Sequence, residues 1–498
     1  MNKKISRKEM LSCSLCMEPK CSKGCLYGKD PGRMLRSIWF NNSEYAALRF
    51  LEDNPCTKCL AVGAAECEKA CVHSGKVPIR NLMLELNDIA KTVTEDIRVD
   101  FDSLRTDICG VELENPFILS SSVVASTYDM CDRAFEMGWA GASFKTMSTL
   151  DIHEASPRFS AIYGDNGEFM GFENIEQVSN HSFAENMEIF RRLKEKHPTK
   201  VLIASIMGQN EEEWESLSRE CEANGADLIE LNLSCPHMMF HGMGSDIGQN
   251  PDMVERITKA AKRGCKIPVL AKLTPNVAQM SDAAEAAYRG GADGFAAINT
   301  IKSITGVNLN TFVSEPAVRG RSAVGGYSGP AIKPIALRFI AELGKNPQLG
   351  GMHISGIGGI ENWSDAAEFI LLGSGSVQLT TAVMKYGYRI IEDLKAGLAM
   401  YINKMGFKSV KQMVGLGLDS VEFSTDSIEK DTIKYPKFLR DKCVGCGRCV
   451  ISCRDGGHQA LSLSSDGKVV MNAGNCVGCH LCTMVCPEGA IVPRGKRV

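Results

Sequence analysis

The placement of cysteine constrains this chain more than any other feature. Of 21 cysteines, eight fall within the first 71 residues and eight within the last 56, leaving only Cys109, Cys131, Cys221, Cys235 and Cys265 between. Two cysteine-dense ends thus flank a long middle with few thiols. The basic residues Lys3, Lys4, Arg7 and Lys8 are not followed by the apolar stretch of a secretory signal. No run approaches the ~20 apolar residues of a membrane span. The expected setting is soluble and cytoplasmic, where thiols stay reduced, so the terminal cysteines are expected to bind metal rather than to pair as disulfides.

The tail reads Cys443-x2-Cys446-x2-Cys449-x3-Cys453 and Cys476-x2-Cys479-x2-Cys482-x3-Cys486-Pro487. A duplicated run of this spacing is the bacterial ferredoxin arrangement of two [4Fe-4S] clusters, in which the fourth cysteine of each run ligates the other cluster. The expected sets are therefore Cys443, Cys446, Cys449 with Cys486, and Cys476, Cys479, Cys482 with Cys453. Arg454 stands where Pro is usual, which leaves the ligands intact. The other end contains Cys13-x2-Cys16-x4-Cys21-x3-Cys25, an amphipathic stretch over 31–51, and Cys56-x2-Cys59-x7-Cys67-x3-Cys71. That count fits two four-ligand sites. All-cysteine zinc sites use similar spacings and stand as the alternative to iron and sulfide here.

From Ile97 to about Lys404, short apolar runs alternate with longer helical stretches. Candidate strands are Pro116–Ser120, Ala140–Phe144, Val201–Ile206, Leu228–Leu233, Pro268–Ala271, Gly294–Ile298, Gly351–Ser355 and Ser376–Leu379. Eight such βα units predict an α/β fold, a (β/α)8 TIM barrel, whose active site lies at the C-terminal ends of the strands. Polar residues follow those ends: Ser120, Lys145 and Thr146, Lys272, Asn299 and Thr300, Thr380 and Thr381. The stretch Asn232-Leu233-Ser234-Cys235-Pro236-His237 places a thiol in the same position, either as a proton donor or as the small buried filler that free cysteines often are. Gly325-Gly326-Tyr327-Ser328-Gly329 and Gly356-Ile357-Gly358-Gly359 fall in the last quarter, where such barrels bind phosphate through backbone N–H groups; tight turns are the plainer reading. A phosphate-bearing cofactor is expected. No Gly-x-Gly-x-x-Gly opens a helix after a strand, so neither FAD nor a nicotinamide has an evident Rossmann home. A net charge of -3 with scattered basic residues gives no field for nucleic acid. The expected segments are 1–95, a barrel over 96–405, a linker over 406–435, and a dicluster domain over 436–498.

The chain from Ile97 onward resembles the dihydropyrimidine dehydrogenase family, which reduces uracil and thymine. The likeness rests on Ser156-Pro157-Arg158, Asn174-Ile175-Glu176, Ile203 to Met207, Asn232 to His237, Ala271 to Asn276, Asn299-Thr300 and the eight C-terminal cysteines. It implies an FMN barrel flanked by an N-terminal helical iron–sulfur domain and a C-terminal ferredoxin-like α+β domain. The implied FMN contacts are Ser120, Lys145, Thr146, Asn232, Lys272, Gly329, Gly358, Gly359, Thr380 and Thr381. The implied pyrimidine contacts are Asn174, Asn232, Ser234, Asn299 and Thr300, with Cys235 as catalytic acid. Asn amides suit a ring edge that alternates N–H donors and C=O acceptors. By the same resemblance, one N-terminal cluster takes Cys13, Cys16, Cys21 and Cys71, and the other takes Cys25, Cys59 and Cys67 with Glu85 or the neighbouring Cys56 as fourth ligand.

The implied reaction passes a hydride to C6 of the base while Cys235 protonates C5, with Lys145 and Lys272 stabilising negative charge. Electrons are expected from a separate FAD- and NAD(P)-binding subunit or a ferredoxin, in a homo- or hetero-oligomer. Met238-Met239-Phe240-His241 departs from the family's Gly-rich loop and leaves the pyrimidine preference open. Dihydroorotate dehydrogenases share the Asn-Leu-Ser-Cys-Pro type of stretch, but their Asn-x-x-Gly-Leu-Pro-Asn type loop is not found between Thr146 and Phe183. A non-catalytic electron-transfer subunit is the rival from another class.

Overall fold

The computed structural model describes residues 10, 12–48, 55–61, 63, 65–73, 76–91, 99–165, 167–233, 245–430 and 432–493. Eight parallel strands close a barrel in chain order: Phe117–Leu119, Gly141–Ser143, Val201–Ile206, Leu228–Asn232, Val269–Lys272, Gly294–Ala297, His353–Ile357 and Ser374–Leu379. The last strand pairs with the first, through Val377 to Phe117. Each falls on an expected run. The strands read as continuous apolar runs because both of their faces are covered; all six residues of Val201–Ile206 are buried. The surrounding helices carry ordinary start signals. Pro251–Gly264, for example, begins behind Asn250, whose side chain accepts from the Met253 N–H, and turns Val254, Ile257 and Ala261 inward.

The antiparallel hairpin Thr106–Ile108 and Val111–Leu113 precedes the first barrel strand. Near it, the His353 ring lies where a Cβ added at Gly375 would meet it at 2.6 Å, and its Nε2 is 3.0 Å from Ser376 Oγ. Burial pushes this imidazole down to about 4, below its ordinary value near 6.5, with Asp107 opposing. The unfolded chain therefore takes up this proton first as pH falls. The contribution of His353 is full above about pH 6.5 and is lost as pH falls towards about 4. A His353→Gln variant is expected to lose less stability than the parent between pH 7 and pH 5, measured by urea unfolding at each pH.

A four-stranded antiparallel sheet, absent from the expected strands, is inserted in the barrel sequence. Its order is Ile301–Ser303, Gly325–Ser328, Phe169–Asn174, Phe159–Tyr163.

The N-terminal helices pack on the barrel as part of one compact unit, residues Met1–Asp419. Helix Pro31–Trp39 is capped by Asp30 and turns Met34, Leu35 and Ile38 into a core shared with Leu82, Met83 and Leu86 of helix Ile79–Ala90. Its other face meets helix Ile390–Lys404. There Arg36 Nε lies 2.9 Å from Asp393 Oδ2, and Ser37 Oγ donates to Asp393 Oδ1 at 2.6 Å. Trp363 Nε1 donates to Asn41 O at 2.9 Å. The expected linker is not uniform, since Val410 and Met413 are buried and Gly415 N donates to Ile370 O at 3.0 Å.

The second unit, Ser420–Val498, pairs Pro436–Phe438 with Ile491–Pro493 and Leu461–Leu463 with Val469–Met471, beside helices Arg448–Gly456 and Leu481–Val485. Among the described residues, no helix is long and apolar enough to cross a membrane.

Candidate active site and cluster cavities

One pocket at the C-terminal mouth of the barrel gathers the expected residues. Ser120, Lys145, Thr146, Asn232 and Lys272 line it from the ends of the first, second, fourth and fifth strands, and Gly329, Gly358, Gly359, Thr380 and Thr381 from the last quarter. Asn174 from the inserted sheet and Asn299 and Thr300 from the sixth strand end line it too. Ser234 and Cys235 lie outside the described residues.

The two lysines are held differently. Lys272 is buried, with Nζ 3.1 Å from Glu230 Oε1 and 3.5 Å from Ser120 Oγ. Glu230 is wholly buried and its other oxygen accepts from Gln378 Nε2 at 3.1 Å, so an ionic pair sits inside the barrel under the pocket. Lys145 Nζ lies 3.6 Å from Glu154 and 3.5 Å from Glu176, which also meets Arg158 at 3.2 Å. Burial pushes the Glu176 carboxyl up, and the Lys145 charge opposes it.

The amides are oriented by neighbours. Asn232 Nδ2 donates to Thr146 Oγ1 at 2.8 Å, and Thr146 Oγ1 is in turn 2.9 Å from Ser205 Oγ. Asn174 Nδ2 donates to Gly326 O at 3.2 Å. Asn299 Oδ1 accepts from Thr300 N at 2.8 Å, while Asn276 Nδ2 donates to Thr300 O at 3.2 Å.

The glycines meet a steric need. Gly358 and Gly359 have φ of +130° and +78°, and a Cβ on Gly359 would lie 2.8 Å from Lys333 Cβ and 2.9 Å from Gly329 O. A side chain would fill this cradle. Among the described residues, the N–H groups of Gly358, Gly359 and Ile360 have no acceptor, and all three residues line the pocket. Such a set of donors suits a phosphate. The lysines, the amides and this cradle together fit FMN.

In the second unit the thiols surround two cavities. Cys443, Cys446, Cys449 and Cys486 line one; Cys453, Cys476, Cys479 and Cys482 line the other. These are the crossed ferredoxin sets. Cys449 and Cys453, one turn apart on helix Arg448–Gly456, serve different cavities. His458 and His480 line the second cavity, and His480 Nε2 is 2.7 Å from Lys434 O.

Near the N-terminus, the charge of Cys13 is felt by Cys21, and those of Cys16 and Cys71 by Cys13. Cys25 and Cys59 both act on Cys56 and on Cys67, whose thiols burial pushes up to about 11 and about 12. These four thiols lie close enough to influence one another. Helix Pro55–Ala61 carries Cys56 and Cys59 three residues apart, hence on one face. Cys131, Cys221 and Cys265 are buried, in keeping with packing roles, and Cys109 is half-buried.

Sequence reasoning gave no role to Glu230, Gln378 or Glu176. Glu230 left a signal, a lone acid inside the apolar run Leu228–Asn232.

Residues 103–402 match the family model described as dihydroorotate dehydrogenase, and 437–492 the 4Fe-4S dicluster domain. The chain is 51% identical over 372 residues to the NAD-dependent dihydropyrimidine dehydrogenase subunit PreA of Escherichia coli (strain K12), covering 75% of this chain and 89% of the relative. It is 36% identical over 340 residues to the chloroplastic dihydropyrimidine dehydrogenase (NADP(+)) of Arabidopsis thaliana, covering 66% and 80%. Against the catalytic subunit of dihydroorotate dehydrogenase B (NAD(+)) from Pyrococcus furiosus it is 37% identical over 318 residues, 63% of this chain and 98% of the relative. The barrel, the dicluster domain and identity across three-quarters of its length make this chain a member of the dihydropyrimidine dehydrogenase family, a flavin- and iron–sulfur-dependent oxidoreductase acting on CH–CH bonds.

Proposed function

We propose that the chain reduces the C5=C6 bond of uracil or thymine, with electrons delivered through [4Fe-4S] clusters from a separate FAD- and NAD(P)-binding partner. The observation that carries this reading is the chemistry of the pocket mouth. Asn174, Asn232, Asn299 and Thr300 offer neutral donors and acceptors, whereas Lys145 and Lys272 are each already paired with carboxylates. A flat neutral base is matched by such groups. Orotate, an anion, would call for an uncompensated cation, and the described pocket residues provide none.

FMN, when bound, supplies the centre that converts single electrons into a hydride equivalent. The protein's residues do the rest. The amides read the edge of the base, Lys272 presents positive charge to the flavin side of the pocket, and the Cys235 thiol delivers a proton to C5. Reoxidation of the chemically reduced, anaerobic protein by uracil or thymine is the expected result. Reoxidation by orotate alone would replace this reading with dihydroorotate oxidation, and lack of response to any of the three would leave an electron carrier. The kinship to a relative named as a subunit supports the partner.

The N-terminal thiols we read as two further clusters, one on Cys13, Cys16, Cys21 and Cys71, the other on Cys25, Cys56, Cys59 and Cys67. Four clusters hold about sixteen iron atoms per chain. Cys56→Ser is expected to lower that content by up to about four iron atoms, while Glu85→Gln leaves it unchanged, measured by iron and sulfide analysis. The reverse pattern would restore Glu85 as ligand.

A further inference from the structure

The loop between Cys13 and Cys16 is held by a residue of the barrel. Leu15 sits in the left-handed region at φ 47°, a conformation that bulky L residues rarely adopt. Arg389, just before helix Ile390–Lys404, receives the carbonyls exposed there. Its Nη2 donates to Leu15 O at 2.5 Å and its Nη1 to Cys16 O at 3.1 Å. Its Nε donates to Tyr386 O at 3.3 Å. Tyr386 ends helix Thr381–Tyr386, and Thr381, Ala382 and Met384 of that helix line the flavin pocket.

The charge on Arg389 is unusual for its surroundings. The nearby carboxylates are engaged elsewhere: Asp393 by Arg36 at 2.9 Å, and Glu392 by Arg33 at 3.2 Å and by Arg36. Among the described residues, Arg389 makes no ion pair, and its hydrogen bonds all end on carbonyl oxygens. A half-buried guanidinium is therefore fixed beside Cys16, in a group where Arg33, Arg36 and Arg389 outnumber Glu392 and Asp393. Each electron taken up by a cluster adds one negative charge, and a fixed positive charge in a medium of reduced dielectric favours that form.

We propose that Arg389 is a positioning and charge-tuning residue for the cluster on Cys13, Cys16, Cys21 and Cys71, raising its reduction potential and tying its loop to the helix that lines the flavin pocket. This rests on the reading of an N-terminal cluster, so the test separates the two. In the full-length, anaerobically reconstituted protein, iron is counted and each cluster is titrated potentiometrically by electron paramagnetic resonance.

In Arg389→Gln the iron is expected to stay, while one cluster's reduced-to-oxidised ratio at fixed poise falls on the order of tenfold, about 59 mV for a one-electron couple. The remaining clusters serve as internal controls. Arg389→Lys, which keeps the charge, is expected to recover most of that shift. An unmoved potential in Arg389→Gln, or an equal shift in Arg389→Lys, overturns the tuning role. Loss of iron from both variants makes Arg389 a mechanical latch and also overturns it. A parent protein holding only about eight iron atoms removes the N-terminal clusters and this inference with them.

Discussion

Replacing Lys272 by Met is expected to empty the barrel of flavin and to lower stability by about 3–5 kcal/mol. The size follows from what remains. Glu230 is wholly buried in the fourth strand, and its partners are the Lys272 ammonium at 3.1 Å and the Gln378 amide at 3.1 Å. Without the ammonium, a carboxylate is left inside the barrel with a single neutral donor, and the cost is that of an uncompensated buried charge. The double variant Lys272→Met with Glu230→Leu removes both charges and is expected to recover most of the stability while still binding no flavin. Urea unfolding of the flavin-free proteins reads the first quantity and flavin absorbance the second. A single variant that keeps flavin would show that the lysine serves only the fold. One that loses flavin at parental stability would show that Glu230 does not depend on it.

This pair also shows what could and could not be read from the chain. The eight barrel strands were legible because a parallel strand covered on both faces must be apolar throughout, and short apolar runs between helical stretches are visible without any structure. The same apolarity makes Glu230 conspicuous afterwards, although its partner, 42 residues away, is fixed only by the register that sets Asn232 against Lys272. The inserted sheet was not anticipated. Its strands are partly exposed, as in Phe159–Tyr163, and lack a long apolar run; the turn residues Asp165-Asn166-Gly167 were the available hairpin signal.

The crossed C-terminal sets were legible from spacing alone, because two helices carrying repeats of one motif leave few ways to surround two cavities. The N-terminal set was not. Its spacing is irregular and leaves both Cys56 and Glu85 open as a fourth ligand; the short helix Pro55–Ala61 puts Cys56 on the face of Cys59. Likewise, Arg389 lies 373 residues from Cys16, and nothing in the sequence connects them.

Cys235→Ala is expected to slow turnover by roughly 10²–10⁴-fold, the range for loss of a well-placed general acid, with flavin content unchanged. The thiol follows the strand Leu228–Asn232 by three residues, beyond an asparagine whose amide is already oriented by Thr146. Reduction of a C=C bond leaves negative charge at the carbon that does not receive the hydride, and a proton must reach it in step with hydride arrival. Alanine removes the donor without altering the lysines, the glycine cradle or the amides that line the pocket. The loss should therefore fall on the rate of flavin reoxidation by the base in a single anaerobic turnover, and not on base binding measured by the perturbation of the flavin spectrum. Retention of the parental rate would remove Cys235 from the chemistry. A matching loss of binding would assign it to the pocket wall, so the split between the two readouts decides its role.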